Sequence, residues 1–246
     1  NAGSWDHYGL QLDAGGPLTS DGKVRGRMVL DEDQSDSFID YQWSKTHSLY
    51  GALDIDLNDA TTVGAGISYN RQQSRPMLRG IPRYATGEPV DLPRSTFTGA
   101  RWNRAQTDVT TYYLDLEHRF NDDWAFKAAA VRMDETNTST HQRVQSNRGV
   151  AADGSGITYA DWITDFHNTK LGLDMNVVGH FDTGPLAHEV TLGGNYSKLT
   201  TDDGYWRTFG GNDNIFDIDH DRPEPSRDSL LATPFGRSER SAYDIR

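Results

Sequence analysis

The sequence contains no cysteine, so it can form neither a disulfide framework nor a thiolate metal site. It has no run of about 18 or more apolar residues, which excludes a protein that spans a membrane with helices. Continuous Val/Ile/Leu runs are also missing, and a soluble α/β enzyme with buried parallel strands would contain them. Basic residues are outnumbered by acidic ones, and the net charge of -12 argues against a nucleic-acid partner.

The chain is also poor in apolar residues for a globular core. Only 35% of its residues are hydrophobic, its mean hydropathy is -0.73, and it contains 24 glycines. The first residues, Asn1 to Trp5, have neither the basic segment nor the apolar core of a signal peptide. We therefore expect either that an export signal has been removed or that the chain begins within a longer protein.

Apolar and polar side chains alternate along most of the chain. In the clearest segment, Leu53 and Ile55 alternate with Asp54 and Asp56. Alternation with a period of two places successive side chains on opposite faces of a β-strand. We predict eight antiparallel strands in four hairpins, with one apolar face and one face that carries isolated charges. The predicted hairpin turns lie at Thr19–Gly22, Asn58–Asp59, Asn121–Asp123 and Asp182–Pro185.

The predicted connections between hairpins are much longer than the turns within them. They run from Asp31 to Ser48, from Asn70 to Thr107, from Asp134 to Asn168, and from Ser197 to about Arg237. Short turns at one end and long loops at the other are typical of outer-membrane β-barrels, whose strands are apolar outward and polar inward. A soluble β-sandwich or propeller would show the same alternation of side chains but not this regular exchange of short turns and long loops.

Several motifs resemble one family. They are Gly80-Ile81-Pro82-Arg83-Tyr84, Asp91-Leu92-Pro93-Arg94-Ser95-Thr96 with Trp102, the opening Gly3-Ser4-Trp5-Asp6-His7-Tyr8, and Tyr113-Leu114-Asp115-Leu116-Glu117-His118-Arg119-Phe120. Their order and spacing resemble TonB-dependent siderophore receptors of the ferric-pyoverdine, coprogen and pseudobactin type. The similarity extends over nearly the whole chain.

This resemblance implies that residues 1–246 are part of a 22-stranded barrel in the bacterial outer membrane. The family's plug domain and the remaining strands would lie outside this segment. The implied function is uptake of a ferric siderophore, energised by the TonB complex through N-terminal regions that are also outside it. Outer-membrane lipid is the other expected partner. Receptors for haem, a vitamin or a glycan, and a soluble β-repeat binding module, remain open alternatives.

Aromatic side chains in the predicted loops are the candidate contacts for a siderophore, because ligand pockets combine aromatic groups with a few polar ones. The candidate set is Trp102, Tyr84, Arg83, Trp43, Tyr205 and Trp206. Arg83 offers a fork of donors to hydroxamate or carboxylate oxygens. We expect no cofactor and no metal ligand in the protein, because the iron arrives already coordinated by the siderophore.

Neither a catalytic nor a metal-binding motif is apparent. A Gly-x-Ser-x-Gly nucleophile elbow is absent, so we do not expect an enzyme. The histidines lack metal-ligand spacing, and His47, His141 and His167 fall in predicted loops, where we expect them to be solvated.

Overall fold

The computed structural model describes residues 1–146, 148–232 and 234–245, and it consists of a single antiparallel sheet. Ten strands follow one another in chain order, each paired with its sequence neighbour. Their bounds are β1 Ala2–Gly3, β2 His7–Pro17, β3 Val24–Asp36, β4 Trp43–Asn58, β5 Thr61–Ser74, β6 Arg104–Arg119, β7 Trp124–Gln145, β8 Ile157–Thr183, β9 Leu186–Asp213 and β10 Pro234–Ile245. One short helix, α1 Arg227–Leu231, precedes β10.

The four predicted turns are confirmed. Residues 18–23, 59–60, 120–123 and 184–185 connect the paired strands at one end of the sheet, which we call the turn end. Gly22 and Gly184 have φ angles of 71° and 62°, in the left-handed region that favours glycine. The tight reversals therefore need glycine at these two positions.

The opposite end of the sheet, which we call the loop end, differs from the prediction. Strands β7, β8 and β9 have 22, 27 and 28 residues, so most of the predicted loop from Asp134 to Asn168 is strand. The connection there runs from the end of β7 at Gln145 to the start of β8 at Ile157, and the first predicted long loop shrinks to residues 37–42. The connection between β5 and β6, residues 75–103, remains long, and so does the connection between β9 and β10, which contains α1. The prediction ended these strands too early because the alternation of apolar and polar side chains stops before the backbone pairing between the strands does.

Cross-strand register places the apolar side chains on one face, as predicted. Leu53, Ala65, Leu114, Ala130 and Leu173 lie opposite one another in a row across five strands. We call their side of the sheet the apolar face and the other side the polar face. The leucines of this row are 44%, 55% and 38% exposed, in chain order. Within the described ranges no second layer covers them, which argues against a soluble sandwich.

Charges on the polar face pair with one another across strands. The Arg25 guanidinium donates two hydrogen bonds to the Asp56 carboxylate, at 2.5 and 2.9 Å. Arg27 makes the same kind of bidentate contact with Asp13, at 3.0 and 2.6 Å. Such pairing is expected of a face that lines a wet interior and not of one in contact with lipid.

The sheet is open in the described part of the chain. β1 and β10 stand at its two edges and pair only with β2 and β9. No helix among the described residues has the length and apolar character needed to cross a membrane.

The buried core lies at the loop end and not between two layers. Its cluster combines the ends of β7 and β8 with residues from the connections. The members are Val90, Val144, Val150, Ile157, Tyr159 and Ile215. Backbone hydrogen bonds also join the loops to one another. The Asp40 N–H donates to the Ser95 carbonyl, and the Arg101 N–H donates to the His220 carbonyl. The connections are therefore ordered parts of the fold.

Candidate functional site

The polar face carries an aromatic and cationic row at the loop end. His141 of β7, Trp162 of β8 and Arg207 of β9 lie directly opposite one another. The His141 ring is parallel to the Trp162 ring within 4°, with centroids 6.4 Å apart. The guanidinium carbons of Arg143 and Arg207 lie 4.2 and 5.3 Å from the Trp162 ring centroid. We call these four residues the tryptophan stack.

His141 is held neutral within this stack. Its side chain is buried, and burial, followed by the nearby Arg143 charge, lowers its pKa to about 4. The Ser139 hydroxyl bonds its Nδ1 at 3.1 Å and the Thr164 hydroxyl at 2.6 Å. A neutral imidazole avoids a third positive charge beside two arginines, and it can pack flat against the indole.

Further aromatic groups extend the stack along the polar face. Phe166 and Tyr205 meet edge to face with centroids 5.8 Å apart. Phe209, two residues beyond Arg207 on the same face of β9, is 57% exposed, and the Arg207 guanidinium lies 4.7 Å from its ring centroid. The face thus combines flat apolar rings with guanidinium donors, a combination suited to a partly aromatic ligand with oxygen acceptors.

Of the predicted contacts, Tyr205 belongs to this surface and Trp206 does not. They are adjacent on β9, and successive residues of a strand point to opposite faces. Trp206 lies opposite the buried Ile163 on the side of the apolar face. Trp43, in the same register as Leu53 on β4, also lies on that side. The predicted set therefore divides between two faces of the sheet.

Trp102 is fixed by a network that joins the loops to the ends of β8 and β9. Its indole Nε1 donates to the Arg222 carbonyl at 3.0 Å. The Arg222 guanidinium stacks on the Tyr159 ring at 4.2 Å, and the Tyr159 hydroxyl donates to Asp213 at 2.7 Å. Burial, followed by this hydrogen bond, raises the pKa of Tyr159, so it remains a neutral donor. Trp102 is therefore held in place and not free to swing.

Tyr84 and Arg83 lie on the connection between β5 and β6, beside the tip of β7. Tyr84 packs on the loop-end core and forms a bridge to Val150, whereas Arg83 is exposed. The Arg83 Nη1 donates to the Gly87 carbonyl at 3.0 Å. Both residues line a cavity of about 450 Å³.

The expectation that these histidines lie in loops is wrong, and the expectation that they are solvated fails for His141, whereas the His167 side chain is exposed. His47 lies in β4, His141 in β7 and His167 in β8, and His141 is only 4% exposed. His47 pairs with Glu32, and His167 lies 3.1 Å from Asp165. Among the residues that the structure describes, no group of three or more His, Asp or Glu could hold a metal ion.

The tryptophan stack is the feature that the sequence prediction missed. Trp162 was assigned to a loop, and its partners Arg143 and Arg207 were not singled out. These residues could have been found by continuing the alternation along each strand from the apolar row that contains Ala130 and Leu173, because an odd spacing from that row places a side chain on the polar face. His141 lies an odd number of residues from Ala130, and Trp162 from Leu173, so both lie on the polar face.

The chain is similar in sequence to curated receptors. A ferric-pyoverdine receptor of Pseudomonas sp. is 36% identical over 233 residues, which is 94% of this chain and 28% of that receptor. The ferric-pyoverdine 358 receptor of Pseudomonas putida is 33% identical over 93% of this chain and 28% of its own length. The chain thus spans less than a third of these curated relatives. No family model matches it.

Solved structures agree with these relatives. The ferripyoverdine receptor of the outer membrane of Pseudomonas aeruginosa, solved with bound ferripyoverdine, superposes with a TM-score of 0.89 at 25% identity over 99% of this chain and 33% of that one. The named relatives are receptors and not enzymes, and they confirm the expected location in the bacterial outer membrane. By sequence and by fold, the chain belongs with the β-barrel portion of the TonB-dependent siderophore receptors.

Proposed function

We propose that the protein containing this chain is an outer-membrane receptor that takes up a ferric siderophore and is energised by the TonB system. The tryptophan stack carries the proposal, because it places an indole and two guanidinium groups on the polar face at the loop end. The similarity to ferric-pyoverdine receptors supports a cargo of the pyoverdine class. The apolar face would meet outer-membrane lipid.

The stack suits a ferric chelate for chemical reasons. A flat chromophore or ring of the chelate can lie against Trp162 or the Phe166–Tyr205 pair, and aromatic contacts of this kind carry much of the energy of small interfaces. Arg143 and Arg207 can donate to hydroxamate or carboxylate oxygens on the chelate surface. The iron would stay coordinated by the siderophore, so the protein would need no metal ligand or cofactor.

Other parts of the receptor would complete the site. A plug and the remaining strands would close the barrel around the polar face, and the TonB complex would act on the plug side. Trp102, Tyr84, Arg83 and Tyr205 remain candidate contacts from this chain. The position of Trp43 and Trp206 on the other side of the sheet supports a structural role for these two.

The test uses the full-length protein that contains this chain. Iron-starved cells without other siderophore receptors should take up radioactive iron as ferric pyoverdine, and deletion of TonB should abolish uptake. Purified receptor should lose about tenfold or more in affinity when Trp162 is changed to Ala, about 1.4 kcal/mol, as expected for loss of an aromatic anchor.

Trp43→Ala is the matched control, because it removes the same side chain from the other side of the sheet. It should leave the affinity within about twofold. Uptake of haem or ferric citrate without uptake of ferric pyoverdine would refute the proposed cargo. Equal losses for both tryptophan variants would refute the proposed site.

A further inference from the structure

A polar cavity of about 460 Å³ lies at the loop end on the side of the sheet that carries the apolar face, which we call the outer side. Its lining includes Trp43, Gln73, Arg104 and Gln106. Each of these lies an even number of residues from the apolar row on its own strand, as Trp43 does from Leu53 and Arg104 from Leu114. The cavity is therefore on the opposite side of the sheet from the tryptophan stack.

The outward side chains change in character along the strands toward this cavity. On β5 and β6 the last outward aromatic rings are those of Tyr69 and Tyr112. Arg71 and Asp108 come next and pair with each other at 2.6 Å. Gln106, in the cavity wall, follows one step further, and a rise of about 3.4 Å per residue with a tilt of about 40° places it roughly 16 Å beyond Tyr112.

This order is the order of chemical groups in a glycolipid of the outer leaflet of the bacterial outer membrane. Its acyl chains meet the apolar band, and its head group lies at the height of the interfacial aromatic rings and the charged positions. Its further sugars extend beyond that level. A cavity on the outer side at the height of Gln106 therefore faces the sugar layer, and neither the lipid chains nor the barrel interior.

The cavity lining offers the kinds of group that bind a sugar. The half-buried Trp43 ring supplies a flat apolar surface for the C–H face of a pyranose. The Gln73 Nε2 donates to the Gln106 Oε1 at 2.8 Å, and the Gln106 Nε2 donates to Asp108 at 2.5 Å, so both amides are held in place. Thr138, directly opposite Gln106 on β7, is exposed and adds a hydroxyl to the same wall. Amide and hydroxyl groups both donate and accept, as sugar hydroxyls require.

The connection between β9 and β10 forms the roof of the cavity. The Arg104 guanidinium donates two hydrogen bonds to the Glu224 carboxylate, at 3.0 and 2.7 Å. Arg227 of α1 also lines the cavity, and Leu230 of the same helix is only 1% exposed, which anchors the helix. The roof is thus held in place without a ligand, and a preorganised site loses less entropy on binding.

We propose that this cavity binds a sugar of the glycolipid in the outer leaflet. Trp43, besides packing in the wall, stacks on the pyranose ring, while the amides of Gln73 and Gln106 and the Arg227 guanidinium contact its hydroxyls. The assignment goes beyond siderophore uptake, because it depends only on the outer-membrane location and on the side of the sheet. It gives the receptor a second ligand on the side of the barrel wall away from the chelate.

The experiment titrates the full-length receptor in detergent with three probes. They are core oligosaccharide of lipopolysaccharide freed of lipid and phosphate, lipid A without core sugars, and ferric pyoverdine. Trp43→Ala removes the ring, and Thr138→Trp fills the cavity. Thr136→Trp is the matched control, because Thr136 lies on the same side of β7 but not in the cavity lining. Trp162→Ala is the control on the polar face.

We expect the oligosaccharide to bind the wild-type receptor saturably and to bind the Trp43→Ala and Thr138→Trp variants about tenfold or more weakly. The Thr136→Trp and Trp162→Ala variants should bind it within about twofold of wild type. Ferric pyoverdine should bind all but Trp162→Ala within about twofold of wild type, which shows that the variants are folded.

Failure of the oligosaccharide to bind the wild-type receptor would overturn the sugar site, and so would an equal loss in the Thr136→Trp control. Binding of lipid A that Thr138→Trp weakens as much would overturn the sugar as occupant and assign the cavity to the lipid head. A receptor that binds the oligosaccharide in the expected pattern but not ferric pyoverdine would support the sugar site and overturn the proposed function instead.

Discussion

Replacement of Leu114 by Arg should strongly destabilise the folded protein in a membrane, because Leu114 lies near the middle of the apolar face. Its side chain is 55% exposed between Ala65 and Ala130. It is four residues from His118, near the turn end of β6. A rise of about 3.4 Å per residue and a tilt of about 40° place it roughly 10 Å into an apolar band about 25 Å tall.

The expected cost is about 2–4 kcal/mol, the range for an Arg on the lipid face near the midplane of a barrel. The neighbouring change Tyr113→Arg is the control, because Tyr113 points to the polar face and is 38% exposed. Arg there should cost less than about 0.5 kcal/mol, as at an ordinary wet surface. The measurement is the free energy of urea unfolding of the full-length receptor in lipid vesicles. Equal costs for both variants would refute the assignment of the apolar face to lipid.

Two further predictions concern the loop end and the turn end. His141, outside the apolar band, has a folded-state pKa of about 4 against 6.5 for the free side chain, so the unfolded region gains a proton first as the pH falls. Stability of the loop end should therefore drop by about 2 kcal/mol between pH 7.5 and pH 5. Hydrogen-exchange protection of the loop end measures this pH dependence, and the His141→Gln variant should show a weaker one. An unchanged pH dependence in the variant would contradict the assignment to His141. Gly184→Val should lower the free energy of unfolding by about 1–2 kcal/mol because φ is 62° there. In the same urea assay this cost should exceed that of the control Gly172→Val, where an added Cβ meets nothing within 4 Å. Similar costs for the two variants would show that the turn conformation is not the cause.

Alternation predicted the part of the fold that one apolar face defines. Where that face is uniform, as around Leu53 and Leu173, the hairpins, their turns and their facing were all predicted. The edge strands β1 and β10 were outside the eight predicted strands. β1 has only two residues, too few to show a period.

The loop end could not be predicted in the same way, because the physical signal changes there. Beyond Ala130 on β7 the outward positions become polar, as at Asp134, although backbone pairing continues to Gln145. A strand with water or protein on both faces has no reason to alternate. The core around Tyr159 depends on connections distant in sequence, and no local pattern in the sequence reports those contacts.

The candidate site was predicted by residue type but not by face. Aromatic enrichment drew attention to the segment around Tyr205 on the polar face, but it could not separate Tyr205 from Trp206, which lies on the other face of the strand. Trp162, the centre of the stack, is not among the predicted contacts, because its cationic partners come from two other strands and the sequence does not show that they are neighbours. Such an arrangement becomes visible only when register is known.

The distribution of charge connects these observations to uptake. The chain carries a net charge of -12, so most of its surface repels an acidic ferric chelate. Arg143 and Arg207 stack on Trp162 at the loop end of the polar face. The positive charge of these arginines then attracts an anionic ligand to the loop end of the polar face, where the aromatic rings of the stack can contact it. Since such guidance is screened over about 10 Å at 0.1 M salt, capture of an acidic chelate should slow as ionic strength rises, whereas capture of an uncharged chelate should not.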